Sequence, residues 1–163
     1  MYATFDHKGY DLKNIKTFDT DDGYAFSATL YLNGKRIGNV QNSGTGGPNS
    51  YHFFSKSKDP KAFREAYNKG MSALKKAAQE TEQSDWVEVE DIFIEKLLND
   101  IENGRRFKRL CKTKTLLRFK GDDEGSYRSV KVAFSPEVKA KLEAVYKEKG
   151  WEVVEWLNEA FIK

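Results

Sequence analysis

Two stretches of this chain carry residue types that can do chemistry. The first is a glycine-rich loop, Asn42-Ser-Gly-Thr-Gly-Gly-Pro-Asn49. Glycines let successive backbone N–H groups turn into a concavity that holds an anion. The amides and hydroxyls beside them add neutral donors. This chemistry suits a phosphate or a nucleotide, with Asn42, Gly44, Thr45, Gly46, Gly47, Asn49 and His52 as candidate ligand-binding residues. The loop lacks the Lys-Ser/Thr ending of a P-loop, does not open directly into a helix and misses the dinucleotide spacing. A plain surface loop accounts for the same residues.

The second stretch is basic. Arg105, Arg106, Lys108, Arg109, Lys112, Lys114, Arg118 and Lys120 stand within sixteen residues with no acid among them. Such a run can neutralise several phosphates and makes binding salt-dependent. Arg offers bidentate phosphate contacts. The candidates for an anion or nucleic acid are Arg105, Arg106, Lys108, Arg109, Lys112 and Lys114. Just upstream, residues 80–102 carry nine acids against the single cation Lys96. That acidic stretch has two readings: it neutralises the basic run within the fold, or it mimics a nucleic-acid backbone toward a protein partner.

Other chemistry has little to work with. Glu88, Asp91 and Glu95 share a helical face, but hard-cation sites draw ligands from more than one element, so no metal is expected. Asp19-Thr-Asp-Asp-Gly23 resembles half a calcium loop without its downstream glutamate. His7 and His52 are the only histidines, and no Gly-x-Ser-x-Gly elbow exists. Cys111 lies among cations that would lower its pKa; a small buried apolar role is the more ordinary one. No catalytic residue and no cofactor are assigned.

The elements that position these residues follow from pattern. At 163 residues the chain fits one domain. Its 39% hydrophobic fraction includes 11 Phe, 8 Tyr and 3 Trp, which bury much area each. A 33% charged fraction makes most of the surface charged. The net charge of +3 alone does not imply nucleic-acid binding. One cysteine excludes an internal disulfide and suits a reducing cytosol. No signal-like segment and no long apolar window appear, so secretion and membrane insertion are disfavoured.

Strands are expected at 11–18, 24–32 and 35–40, the last two joined by an Asn33-Gly34 type I′ turn. That turn would pair Leu30 with Ile37, with Gly38 as a bulge that restores Val40 to the core face. A short strand at 51–54 follows the glycine loop. Asp59-Pro60 starts a helix to about Gln79, with Phe63, Tyr67, Met71 and Leu74 as its apolar stripe. A second helix, capped by Ser84 or Asp85, buries Trp86, Val89, Phe93, Leu97 and Ile101 and stops at Asn103-Gly104. A short helix at 105–112 comes next. Strands at 115–120 and 127–134, a helix from Pro136 to Gly150 and a strand at 153–157 make a β-β-α-β tail. The order implies an α+β fold: an antiparallel N-terminal hairpin sheet, two central helices and the C-terminal unit.

Three segments together resemble small uncharacterised proteins of bacteriophage genomes and bacterial prophages. They are Leu12-Lys-Asn-Ile-Lys16, then Ala28-Thr-Leu-Tyr-Leu-Asn-Gly-Lys35 leading into Asn42–Gly47, and Leu110-Cys-Lys-Thr-Lys-Thr-Leu-Leu-Arg-Phe119. Ser43 stands where that pattern has an acidic residue, which weakens a metal or amine contact there. The resemblance carries no activity. It implies a setting, the cytoplasm of an infected bacterium, where such proteins inhibit or sequester host machinery. The expected function is non-enzymatic binding of a nucleotide or nucleic acid through the loop and the basic run. The alternative is inhibition of a host protein, with the acidic helix as nucleic-acid mimic.

Overall fold

Asn33 and Gly34 both take positive φ (49° and 77°), the type I′ geometry that matches strand twist. They close the central hairpin of a four-stranded antiparallel sheet in sequential order: β1 (Tyr10–Thr20), β2 (Gly23–Leu32), β3 (Lys35–Asn42) and β4 (Ser50–Phe53). The structure, a computed structural model, describes residues 5–82 and 88–161. Ser84, Asp85 and Trp86 therefore lie outside the described residues. The fold is α+β, as the pattern implied, and the chain divides into two compact units, Phe5–Ile101 and a second that holds Glu102–Lys163.

In the unit Phe5–Ile101 the sheet's inward side chains are Leu12, Phe26, Ala28, Leu30, Val40 and Phe53. Two helices join their core: α1 (Pro60–Glu82) through Leu74, Ala77 and Ala78, and α2 (Val89–Leu110) through Val89, Phe93, Ile94, Leu97 and Leu98. Two bulges set the register. On β1, Asn14 and Ile15 together face Ala28, with Asn14 at φ 53° and its amide donating to Thr29 Oγ1 (3.3 Å). On β3 the extra residue is Ile37. Leu30 pairs with Gly38, and Tyr31 with Arg36. Pairing of Leu30 with Ile37 is thus corrected. The displaced residue is Ile37 because Gly38 must stay in register where the backbone carbonyl of His52 on β4 leaves no room for a Cβ.

The α1 stripe is also corrected. Leu74 is fully buried and Met71 partly so, but Phe63 and Tyr67 are exposed. Gly70 marks the change: a Cβ there would clash with the Phe53 ring, so strand and helix meet only because the side chain is absent. Asp59 caps α1 as expected, its carboxylate accepting from Lys61 N–H (2.9 Å).

α2 does not stop at Asn103-Gly104 but runs on to Leu110, replacing the separate helix expected at 105–112. One glycine costs a helix only about 1 kcal/mol relative to Ala, and Phe107 is buried a turn later. In the second unit, β5 (Thr115–Phe119) lies between β6 (Arg128–Val130) and β7 (Val153–Trp156), all antiparallel. β6 is three residues rather than the eight of Tyr127–Phe134, because a tight turn from Val130 O to Val132 N–H ends it. α3 (Pro136–Glu148) is capped by Ser135 Oγ, which accepts from Val138 N–H (3.2 Å). A last turn, α4 (Asn158–Phe161), was not anticipated. β5 buries both faces: Leu116 packs with Phe107, Cys111 and Leu157, while Leu117 and Phe119 pack with Trp156.

Candidate functional site

The glycine loop folds back over the β1–β2 turn. Thr20 Oγ1 donates toward the Gly23 and Gly44 carbonyls (2.9 and 2.8 Å). Gly44, at φ +75°, has Ala25 N within 2.8 Å of its Cβ position, so no other residue fits. Asn42 organises the rest. Its Oδ1 accepts from Gly44 N–H (2.8 Å), and its Nδ2 donates to the Gly47 carbonyl and to Asn49 Oδ1 (both 3.0 Å). Thr45 exchanges a hydroxyl contact with Ser43 (2.8 Å). Gly46 and Gly47 face open space.

Asn42, Gly44, Gly46, Gly47 and Asn49 line an open cleft of about 530 Å³. Its other walls were not legible: Asp22 from the β1–β2 turn, Tyr24 and Phe26 from β2, and Glu88, Asp91, Glu95, Leu98 and Asn99 around α2. Asp91 ties the two together. Its carboxylate accepts from Asn49 N–H (2.8 Å) and from the Tyr51 hydroxyl (2.5 Å). Burial first, and then the neighbouring Asp91 carboxylate, push the Tyr51 hydroxyl far above its ordinary range. Two of the loop's N–H groups are thus already engaged, and four carboxylates line the cleft. A phosphate entering it meets like charge from Asp22, Glu88, Asp91 and Glu95. Among the described residues, no group of three or more His, Cys, Asp or Glu side chains is arranged to hold a metal ion.

His52 does not join this cleft. It sits on β4 opposite Asn39, with its ring 5.8 Å from Phe54 and 6.4 Å from Phe63. It lines a separate cavity with Phe53, Phe63, Arg64 and Tyr67.

The basic residues are held by apolar anchors. Phe107 and Cys111 are buried on the inner side of the segment. Arg105, Lys108 and Arg109 fall three and four residues apart and so share the outer helix face. Lys112 and Lys114 follow in the turn after α2, which the buried Asn158 fixes. Its Oδ1 accepts from Leu116 N–H (2.7 Å), and its Nδ2 donates to the carbonyls of Lys114 (2.8 Å) and Cys111 (3.3 Å). No local pattern in the sequence signalled Asn158. Arg105, Arg106, Lys108, Arg109 and Lys112 are exposed and Lys114 half-buried. Among the described residues none of the six forms an ion pair. Arg118 and Lys120, by contrast, are paired with Glu155 (3.2 Å) and Glu152 (2.8 Å). Burial pushes the Cys111 thiol up, opposite to the activation its cationic neighbours promised.

The acids of 80–102 are largely committed at home. Glu82 meets Lys96 (2.5 Å), Glu90 meets Lys75 (3.5 Å), Asp100 meets His7 (2.6 Å), and Asp91 holds Tyr51 and Asn49. No helix among the described residues is long and apolar enough to cross a membrane. No family model, curated protein or solved structure matches the chain.

Proposed function

We propose that this protein binds nucleic acid through the basic end of α2 and the turn after it, using Arg105, Arg106, Lys108, Arg109, Lys112 and Lys114. One observation carries the reading: six cations gathered in ten residues, five of them exposed, have no carboxylate partner among the described residues. Internal electrostatics accounts for only part of them. Lys108 and Arg109 lie in the last turn of α2 and complement the helix dipole. Arg105, Arg106, Lys112 and Lys114 have no such role. A single phosphate needs fewer contacts than a row spread over more than a helical turn, so a polymer fits better than a mononucleotide. Contacts of this kind go to the backbone and carry no sequence information.

The glycine loop then acts as a structural latch, since its cleft is lined by acids. The mimicry alternative is weaker, because Glu82, Glu90, Asp91 and Asp100 already have partners within their own unit. The proposed compartment is the cytoplasm, where nucleic acid is accessible and Cys111 stays reduced. The test is fluorescence anisotropy of a labelled oligonucleotide against the full chain and its R105Q/R109Q/K112Q variant. Binding by the wild type that weakens with salt and with the substitutions supports the reading. Equal affinity of the two proteins refutes it.

A further inference from the structure

A second surface, within the unit Phe5–Ile101, has a different character. Phe54, Phe63 and Tyr67 expose 38%, 40% and 45% of their area. The His52 ring stands between Phe54 (5.8 Å) and Phe63 (6.4 Å), and Tyr67 lies against Phe53 (6.3 Å). Ring contacts thus join Phe54, His52 and Phe63, and Tyr67 lines the same cavity as His52 and Phe63. Two cations adjoin these rings. The Arg36 guanidinium lies 4.6 Å from the Phe54 ring centre, and Arg64 lines the same cavity of about 490 Å³ as His52, Phe63 and Tyr67. No carboxylate lines that cavity, and neither arginine forms an ion pair among the described residues.

Exposed rings of this number are unusual at the start of a helix whose stripe is otherwise buried. Their removal from the core has a local cause: the Phe53 ring occupies the Gly70 contact, so the helix is pinned to the sheet there and its earlier apolar positions stay at the rim. What remains is a group of exposed rings with two guanidinium groups beside them, Arg36 over one face of Phe54. Bases stack on such faces regardless of sequence, and arginines beside them neutralise the backbone. A duplex keeps its base faces inside its own stack, so the complementary ligand is one whose bases are unstacked.

We infer that the face formed by His52, Phe54, Phe63 and Tyr67, flanked by Arg36 and Arg64, binds single-stranded nucleic acid by stacking. This deepens the nucleic-acid reading by naming the strand state, and it rests on residues separate from the basic segment. An acidic peptide would satisfy the arginines but leave the ring faces without complementary surfaces.

The experiment uses the full chain, a labelled oligothymidylate of about fifteen nucleotides and a duplex of the same length. Anisotropy should show the single strand binding more tightly than the duplex. F54A and F63A should each weaken it about tenfold, and F54A/F63A by about 100-fold, within the range for lost base stacking. Both rings are surface groups, and circular dichroism of each variant checks the fold. A bromodeoxyuridine-substituted strand, photocrosslinked to wild type, gives a readout that does not depend on variants. Adducts should map to Phe54, Phe63, Tyr67 or His52. Ring variants that bind like wild type, with adducts only at 105–114, overturn this inference, keep the basic-segment reading and leave the ring face to a protein partner. Loss of binding in the ring variants with none in R105Q/R109Q/K112Q supports the inference while removing the basic-segment reading. Equal affinity for strand and duplex overturns the inference.

Discussion

Replacing Arg105, Arg109 and Lys112 together by Gln removes three charges and leaves helix-forming side chains of similar length. All three are exposed, and none has an ion-pair partner among the described residues. The fold should survive. Arg109 alone contributes through the helix dipole, about 0.3–1 kcal/mol, so a small drop in Tm is expected. Binding should change much more. Each phosphate neutralised on a single strand adds about 0.7 to the slope of log affinity against log salt. Three lost contacts reduce that slope by about 2. Between about 50 and 200 mM salt, a slope of 2 corresponds to roughly sixteenfold in affinity. The wild type should therefore lose roughly sixteenfold more affinity than the variant over that interval. The comparison is a difference of slopes, so contacts elsewhere on the molecule cancel. Anisotropy titrations at four salt concentrations give the slopes directly. Parallel lines for the two proteins, with the variant still folded, would show that these cations do not meet phosphates.

Three further outcomes follow from packing and charge. Tyr51→Phe removes one of the donors to Asp91 while keeping the ring, and urea unfolding should show a loss of about 1.5–3 kcal/mol, the worth of a hydrogen bond to a charged group. Gly70→Ala gains about 1 kcal/mol of helix propensity but drives a methyl into the Phe53 ring; overpacking at about 1–3 kcal/mol outweighs it. The same change in a Phe53→Leu background should cost less, and additive effects in that cycle would refute the contact. Asp122 accepts from Arg128 and from Phe119 N–H, which together hold its carboxyl down at about 2 from an ordinary 3.8. That lowered value means the interaction stabilises the fold fully above about pH 4 and is lost as pH falls toward 2. NMR titration of the Asp122 carboxyl carbon should show this midpoint, and Arg128→Gln should return it toward 3.8.

The parts of the fold legible in the sequence were those fixed by neighbours in the chain. Asn33-Gly34 specified its turn because both residues tolerate positive φ. Ser135-Pro136 and Asp59-Pro60 specified helix starts through short-range caps. The bulge that returns Val40 to the core was legible, but its place at Ile37 and not Gly38 was not, because a strand arriving later, β4, holds Gly38 in register. Phe63 and Tyr67 kept perfect helical spacing yet stayed outside, since periodicity reports a face and not what covers it. The glycine loop showed its donors but not their engagement, because Asp91 reaches Asn49 and Tyr51 from some forty residues away. For the basic run the sequence left two readings open. The acids upstream are drawn instead to Lys75, Lys96, His7 and Tyr51, which no linear charge count reveals.

The left-handed kink at Asn14 bears on more than register. β1 is an outermost strand of its sheet among the described residues, and at eleven residues it is the longest of the four. An outer strand of that length offers an open ladder onto which a neighbouring molecule can add. The kink breaks the ladder into two short runs, and Lys13 and Lys16 stand on either side of it. Incoming backbone thus finds neither a straight template nor a neutral one, so this edge is a poor seed for fibril growth.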